Sequence, residues 1–183
     1  MKILEIQKVD LASFCYLNSE RYPFLLESVN HNDFNRYSIL FAFPGESIIL
    51  NSFSDFDFLN ELKNQFKPNN LNSDLPFTGG WFVYLSYELI EQIEPSLSYE
   101  VYRSNLPIAY AVKIPSAIII DHQLDKTYLI DQDDNENRIN SILSDIKLTK
   151  PIPKKAIEGK LSEENQEKFT DGVKTCLDYI VAG

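Results

Sequence analysis

The chain has 183 residues, of which 44% are hydrophobic and 24% charged, with a formal net charge of −10. That is enough chain for one sizeable core or two small ones, in the composition of a soluble globular domain. The acidic balance argues against nucleic acid, since a phosphate-binding face needs a surplus of Lys and Arg. No apolar run reaches the length of a membrane span, and nothing near Lys2 reads as a secretory signal. Cys15 and Cys176 fall on the apolar sides of helical patterns. They read as reduced core thiols of a cytoplasmic protein, not as a disulfide framework.

In chain order, residues 3–6 form a short strand-like start. Asp10 is a helix N-cap with Leu11, Phe14 and Cys15 behind it. Pro23 keeps its neighbour extended, and residues 24–26 make an apolar run of strand length. Residues 30–35 read as a polar turn and 36–43 as the next strand. Pro44-Gly45-Glu46 then reads as a hairpin turn returning into a strand over 47–50. Ser54 or Asp55 caps a helix with Phe56, Leu59, Leu62 and Phe66 on one side. Residues 67–74 and 95–105 read as surface loops, the second anchored by Tyr99 and Tyr102.

Between those loops lies Pro-Phe-Thr-Gly-Gly-Trp-Phe-Val-Tyr-Leu-Ser-Tyr-Glu, residues 76–88. Gly79-Gly80 frees the backbone for positive φ or close approach. Residues 81–85, rich in aromatic and β-branched types, read as a buried central strand that turns into a short helix near 89–93. Strands over 106–112 and 116–121 meet at Ile114-Pro115, and another covers 126–130. Residues 133–147 form an amphipathic helix with Ile139, Ile142, Leu143 and Ile146 at helical spacing, its acidic residues crowding the first turn. The Lys-Pro-Ile-Pro-Lys-Lys stretch from Lys150 is a linker by composition. Beyond it Ser162 caps a last helix with a stripe of Phe169, Val173, Cys176, Leu177 and Ile180. The division is a body over 1–149, a linker over 150–160 and a helix within 161–183. Strands arriving in hairpin-like pairs among helices predict an α+β fold with mainly antiparallel sheet.

Chemistry is sparse. No phosphate loop, dinucleotide-binding glycine pattern, zinc spacing or nucleophile elbow is present. His31 and His122 each sit in a polar turn and read as solvated. Asp131, Asp133, Asp134 and Glu136 do not have calcium-loop spacing, and a helix N-terminus accounts for them. Arg36 reads as a partner for Glu27 or a nearby carbonyl, Ser28 as a strand-end serine bonding backbone, and Trp81 as a core ring.

Taken together, several short motifs resemble the chorismate-utilising synthases, anthranilate synthase component I and aminodeoxychorismate synthase component I. They are Leu25-Leu26-Glu27-Ser28, then Arg36-Tyr37-Ser38, then Gly79-Gly80-Trp81, and then Leu106-Pro107, Pro115-Ser116-Ala117 and Asp121-His122. Residues 169–183 resemble the helix that opens the family's chorismate-binding domain. The stretches 37–46 and 88–95 are more similar to aminodeoxychorismate synthase. The resemblance implies the N-terminal portion of a longer enzyme that makes 4-amino-4-deoxychorismate for para-aminobenzoate and folate synthesis. It implies a glutamine amidotransferase subunit (component II) as partner and chorismate as substrate. It implies magnesium held by the chorismate-binding domain, with no metal and no catalytic residue in this chain, which is then inactive alone. It also implies a tryptophan pocket to which Leu26, Glu27 and Ser28 contribute, with Arg36, Tyr37, Ser38, Gly79, Gly80 and Trp81 as structural motif residues. The alternatives are anthranilate synthase component I, acting in tryptophan synthesis, and a free-standing tryptophan-binding regulatory module.

Overall fold

The computed structural model describes residues 1–28, 35–53, 55–66, 73–94, 96–97, 105–152, 159–160 and 162–183. The expected turn over 30–35 and the loops over 67–74 and 95–105 fall largely outside them, as do His31, Ser54 and the Lys154-Lys155 pair. In chain order the elements are β1 (Lys2–Ile6), α1 (Leu11–Leu17), β2 (Phe24–Leu26), β3 (Tyr37–Ala42), β4 (Ser47–Leu50), α2 (Phe58–Gln65) and β5 (Gly80–Leu85). A single turn over Tyr87–Leu89 leads into α3 (Ile90–Ile93). Then come β6 (Ala109–Ile114), β7 (Ser116–Asp121), β8 (Lys126–Asp131), α4 (Glu136–Leu148) and α5 (Gln166–Ala182). The fold is α+β and its strand pairings are antiparallel.

The chain divides into two compact units, Met1–Ile152 and Pro153–Gly183. In the first, five strands form one sheet in the order β1-β8-β7-β3-β2, and three form another in the order β4-β6-β5. Alternation along the strands sorts the side chains into layers. Leu40, Ile118, Ile120 and Leu129 pack with Leu11 and Phe14 of α1 and with Ile139 and Ile142 of α4. On the opposite face Phe41 packs with Val112 and Ile114 of the smaller sheet. The far face of that smaller sheet, Ile48, Leu50, Ala109 and Ala111, is covered by Phe58 of α2 and by Leu89. The small side chains of Ala109 and Ala111 leave room for these covering residues. Strand β7 lies between two apolar layers and is buried at all six positions. That explains its unbroken run Ala-Ile-Ile-Ile, since a strand covered on both faces has no reason to alternate.

Several local expectations need correction. The Pro44-Gly45-Glu46 turn does not return β4 onto β3. Phe43 takes a left-handed conformation with φ 59°, its amide bonds the Arg21 carbonyl at 2.8 Å, and the chain crosses into the other sheet, where β4 pairs with β6. Strand β5 is an edge strand, not a central one: Val83 and Leu85 are 40% and 49% exposed. Helix α2 starts later than expected, with Asp57 as its cap accepting the Asn60 amide at 3.0 Å and Phe58 as the buried anchor.

Helix α4 is capped by Asn135, which leaves only Glu136 of the acidic run in its first turn. Asp131 ends β8 and accepts from the amides of Asp133 and Asn135 at 3.1 and 2.9 Å. Helix α5 is capped by Asn165, and Phe169, Leu177 and Ile180 on its stripe are exposed. Cys176 is exposed as well, so it is not a core thiol. Among the described residues no helix is long and apolar enough to cross a membrane.

Candidate functional site

The residues Leu26, Glu27, Ser28, Arg36, Tyr37 and Ser38 gather at one end of the five-stranded sheet, where edge strand β2 pairs with β3. The register also brings the end of β7 beside them, with Tyr37 opposite Asp121 and Ser38 opposite Ile120. Ser28 is half-buried. Its hydroxyl donates to the Tyr37 carbonyl at 2.8 Å, and its amide donates to the Ser38 Oγ at 3.0 Å. The Ser38 Oγ lies 2.7 Å from Nε2 of His122, whose backbone amide bonds the Arg36 carbonyl at 2.9 Å. Ser28, Ser38 and His122 thus form a polar chain that ties three strands together.

Arg36 does not pair with Glu27. Its Nε reaches Asp121 Oδ1 at 3.0 Å and its Nη2 reaches Oδ2 at 2.6 Å. The guanidinium also lies 4.8 Å from the Tyr37 ring centroid. Asp121 is 1% exposed and accepts two further bonds, from the amides of Gln123 and Leu124. The Arg36 guanidinium, helped by these amides, holds the Asp121 carboxyl below the usual carboxylate range against the opposing effect of burial. Burial raises the Tyr37 phenol above its ordinary value.

A serine hydroxyl on a histidine nitrogen can be nucleophilic, but not here. Ser38 is 2% exposed, and its oxygen already accepts the Ser28 amide, so it braces the strand ends and cannot reach a substrate. The surface open to a ligand belongs to Leu26, which is 52% exposed, and to the exposed Glu27. His122 is half-buried and bonded, not a solvated turn histidine. Its motif and that of Ser38 were both visible in the sequence. Their pairing was not, because 84 positions separate them.

Gly79, Gly80 and Trp81 lie elsewhere, along a cavity of about 670 Å³ at the start of β5. Gly79 has φ 109°, and a Cβ built there would come within 2.4–2.7 Å of the Gln132 side chain. Glycine is therefore required twice over, by conformation and by space. Trp81 is half-buried against the layer formed by Phe58 and Leu89. Among the described residues no group of His, Cys, Asp or Glu is placed to hold a metal ion.

No family profile matches the chain. It is similar to anthranilate synthase component 1 of Acinetobacter calcoaceticus, at 29% identity over 94% of this chain and 42% of that protein. The corresponding protein of Synechocystis is 28% identical over 91% of this chain and 41% of its own length. That of Lactococcus lactis is 29% identical over 62% of this chain. The crystal structure of anthranilate synthase component I from Streptococcus pneumoniae superposes with a TM-score of 0.56, at 20% identity, over 97% of this chain and 46% of that one. That likeness is one of fold. The chain spans less than half the length of the first two relatives and of the solved structure.

Proposed function

We propose that this chain is part of a chorismate-utilising synthase component I, and that the longer protein aminates chorismate with ammonia delivered by a glutamine amidotransferase subunit. The observation that carries this reading is the similarity, over more than nine-tenths of the chain, to two proteins named anthranilate synthase component 1. The shared α+β fold supports it. Magnesium and the catalytic groups belong to the remainder of the longer protein, and this chain alone does not turn over chorismate. Leu26, Glu27 and Ser28 line a tryptophan pocket on the exposed side of the β2–β3 junction, which the Ser38–His122 brace holds in place.

Two products are open to such an enzyme. The stretches 37–46 and 88–95 favour 4-amino-4-deoxychorismate, whereas the names of the relatives favour anthranilate. The test is to supply the full-length protein with chorismate, magnesium and ammonium and to separate the products by chromatography. Anthranilate is identified by its fluorescence. 4-Amino-4-deoxychorismate is identified by conversion to para-aminobenzoate with an added lyase. Consumption of chorismate to either product supports the family reading and decides between the two. An intact, folded protein that leaves chorismate untouched overturns it, and tryptophan binding by such a protein would favour a regulatory module instead.

A further inference from the structure

The cavity at the start of β5 is lined by charged and polar groups as well as by Trp81. Across the three-stranded sheet, Glu46, Lys113 and Trp81 stand in one row. Lys113 donates its amide to the Glu46 carbonyl at 2.9 Å on one side and is opposite Trp81 in the β5–β6 register on the other. Strand alternation puts all three side chains on the face that lines the cavity. Gln132 and Thr78 close the far wall, and Phe66, 56% exposed at the end of α2, stands at its edge. Among the described residues, the Glu46 carboxylate, the Lys113 ammonium, the Gln132 amide, the Thr78 hydroxyl and the Trp81 indole N–H make no hydrogen bond or ion pair. Gln132 and Trp81 are half-buried. Here they border a space large enough for a small molecule.

The charges define the complement. A carboxylate alone would meet Lys113 but be repelled by Glu46, and an amine alone would face the reverse. A molecule bearing both, with a flat apolar body for Trp81 and Phe66, satisfies all three. We propose that this cavity is a binding site for a free aromatic α-amino acid, its carboxylate on Lys113, its ammonium on Glu46 and its ring against Trp81. The site is on the outer face of the three-stranded sheet, apart from Ser28 on the edge of the five-stranded one, and it does not depend on which synthase the longer protein is. The folded-over Gln132 side chain, packed onto Gly79, supplies an amide that can bond either end of the ligand.

Trp81 is the only tryptophan in the chain, so its fluorescence reports on this cavity directly. The experiment titrates the purified chain with L-phenylalanine, exciting at the red edge of tryptophan absorption where the ligand is silent. Phenethylamine, hydrocinnamate and L-alanine serve as probes lacking the carboxylate, the ammonium and the ring. The expected result is a saturable change with L-phenylalanine and binding at least about tenfold weaker for each analogue. Lys113→Ala should weaken L-phenylalanine about tenfold while leaving phenethylamine no weaker. Glu46→Ala should do the same while leaving hydrocinnamate no weaker. Both substituted residues are exposed, so the variants should fold, and circular dichroism checks that they do. The proposal is overturned if L-phenylalanine gives no saturable change, if the analogues bind as tightly, or if neither substitution alters binding.

Discussion

Arg36 and Asp121 meet edge to edge: Nε of the guanidinium lies 3.0 Å from Oδ1 of the carboxylate and Nη2 lies 2.6 Å from Oδ2. The carboxylate is buried at the end of β7, and the guanidinium closes over it. Replacing Arg36 by Ala leaves Asp121 buried with only the amides of Gln123 and Leu124, and a buried carboxylate without its cation destabilises a fold far more than the loss of an exposed pair. Lys8→Ala, which breaks the exposed Lys8–Asp125 pair, is the control and should leave the urea midpoint nearly unchanged. Arg36→Ala should lower it clearly, and equal midpoints for the two variants would show that Asp121 is satisfied without its arginine.

Ser28 joins a backbone role to a proposed ligand role, and the two separate by side-chain size. Ser28→Ala removes the bond to the Tyr37 carbonyl and should cost about 1 kcal/mol of stability. A bulky replacement in the longer protein should in addition weaken tryptophan retention by roughly 1–3 kcal/mol through crowding. Mass spectrometry of the purified variant measures the retained tryptophan. Full retention beside a bulky residue would remove Ser28 from the pocket.

The Gly79–Gln132 contact makes a sharp double-mutant test. Gly79→Ala meets both a left-handed backbone, φ 109°, and the Gln132 side chain at 2.4–2.7 Å, which together should cost roughly 2–5 kcal/mol. Gly80→Ala also meets a positive φ, 153°, but has only Phe77 near its Cβ, at 3.7 Å, and should cost less. Adding Gln132→Gly to Gly79→Ala removes every contacting atom of that side chain, its Cβ included, but not the backbone strain, so a double-mutant cycle by denaturant titration should show partial recovery relative to the sum of the single changes. No recovery would mean that backbone conformation alone demands the glycine.

Acid should act through Asp131. Burial raises its carboxyl pKa, but Arg138, the Asn135 amide and the Ser116 hydroxyl outweigh burial and lower it from 3.8 to about 2. A depressed acid stabilises the fold above its unfolded pKa and ceases to do so as pH falls through the folded value. The contribution is on the order of 2 kcal/mol, present above about pH 4 and lost towards pH 2. Stability measured in urea across that range should decline, and Asp131→Asn should flatten the decline while lowering stability at neutral pH. An unchanged acid limb in the variant would place the titration on other carboxylates.

What the sequence revealed was what short-range chemistry determines. Asp10 and its apolar neighbours located α1, the Ile spacing located α4, and β2, β3, β7 and β8 appeared within a residue or two of their positions. What it hid was partnership across distance. Pro44-Gly45-Glu46 has the chemistry of a hairpin, and only the left-handed Phe43 and the pairing of β4 with β6 show a crossing between sheets. The aromatic run after Gly80 reads as a central strand, and only the pairing with β6 on one side alone shows it to be an edge. The site was half legible for the same reason. Ser28, Arg36 and Ser38 lie close in sequence, but their anchors Asp121 and His122 come 84 or 85 residues after Arg36 and Ser38.

Those distances set an order of events during synthesis. Strand β1 waits for β8, β3 for β7, and β4 and β5 both for β6. Among the described residues, β2–β3 is the one strand pair that can form before Ala109 has been made. At about 5–20 residues per second, β1 remains without its partner for on the order of ten seconds. Throughout that interval the emerging chain displays strands with open edges. Pro115 alone separates β6 from β7, so once that stretch leaves the ribosome both sheets gain their connecting strand almost together. The body therefore closes late and all at once, and chaperone binding to a stalled nascent chain should end sharply when the stall point moves beyond the release of β8.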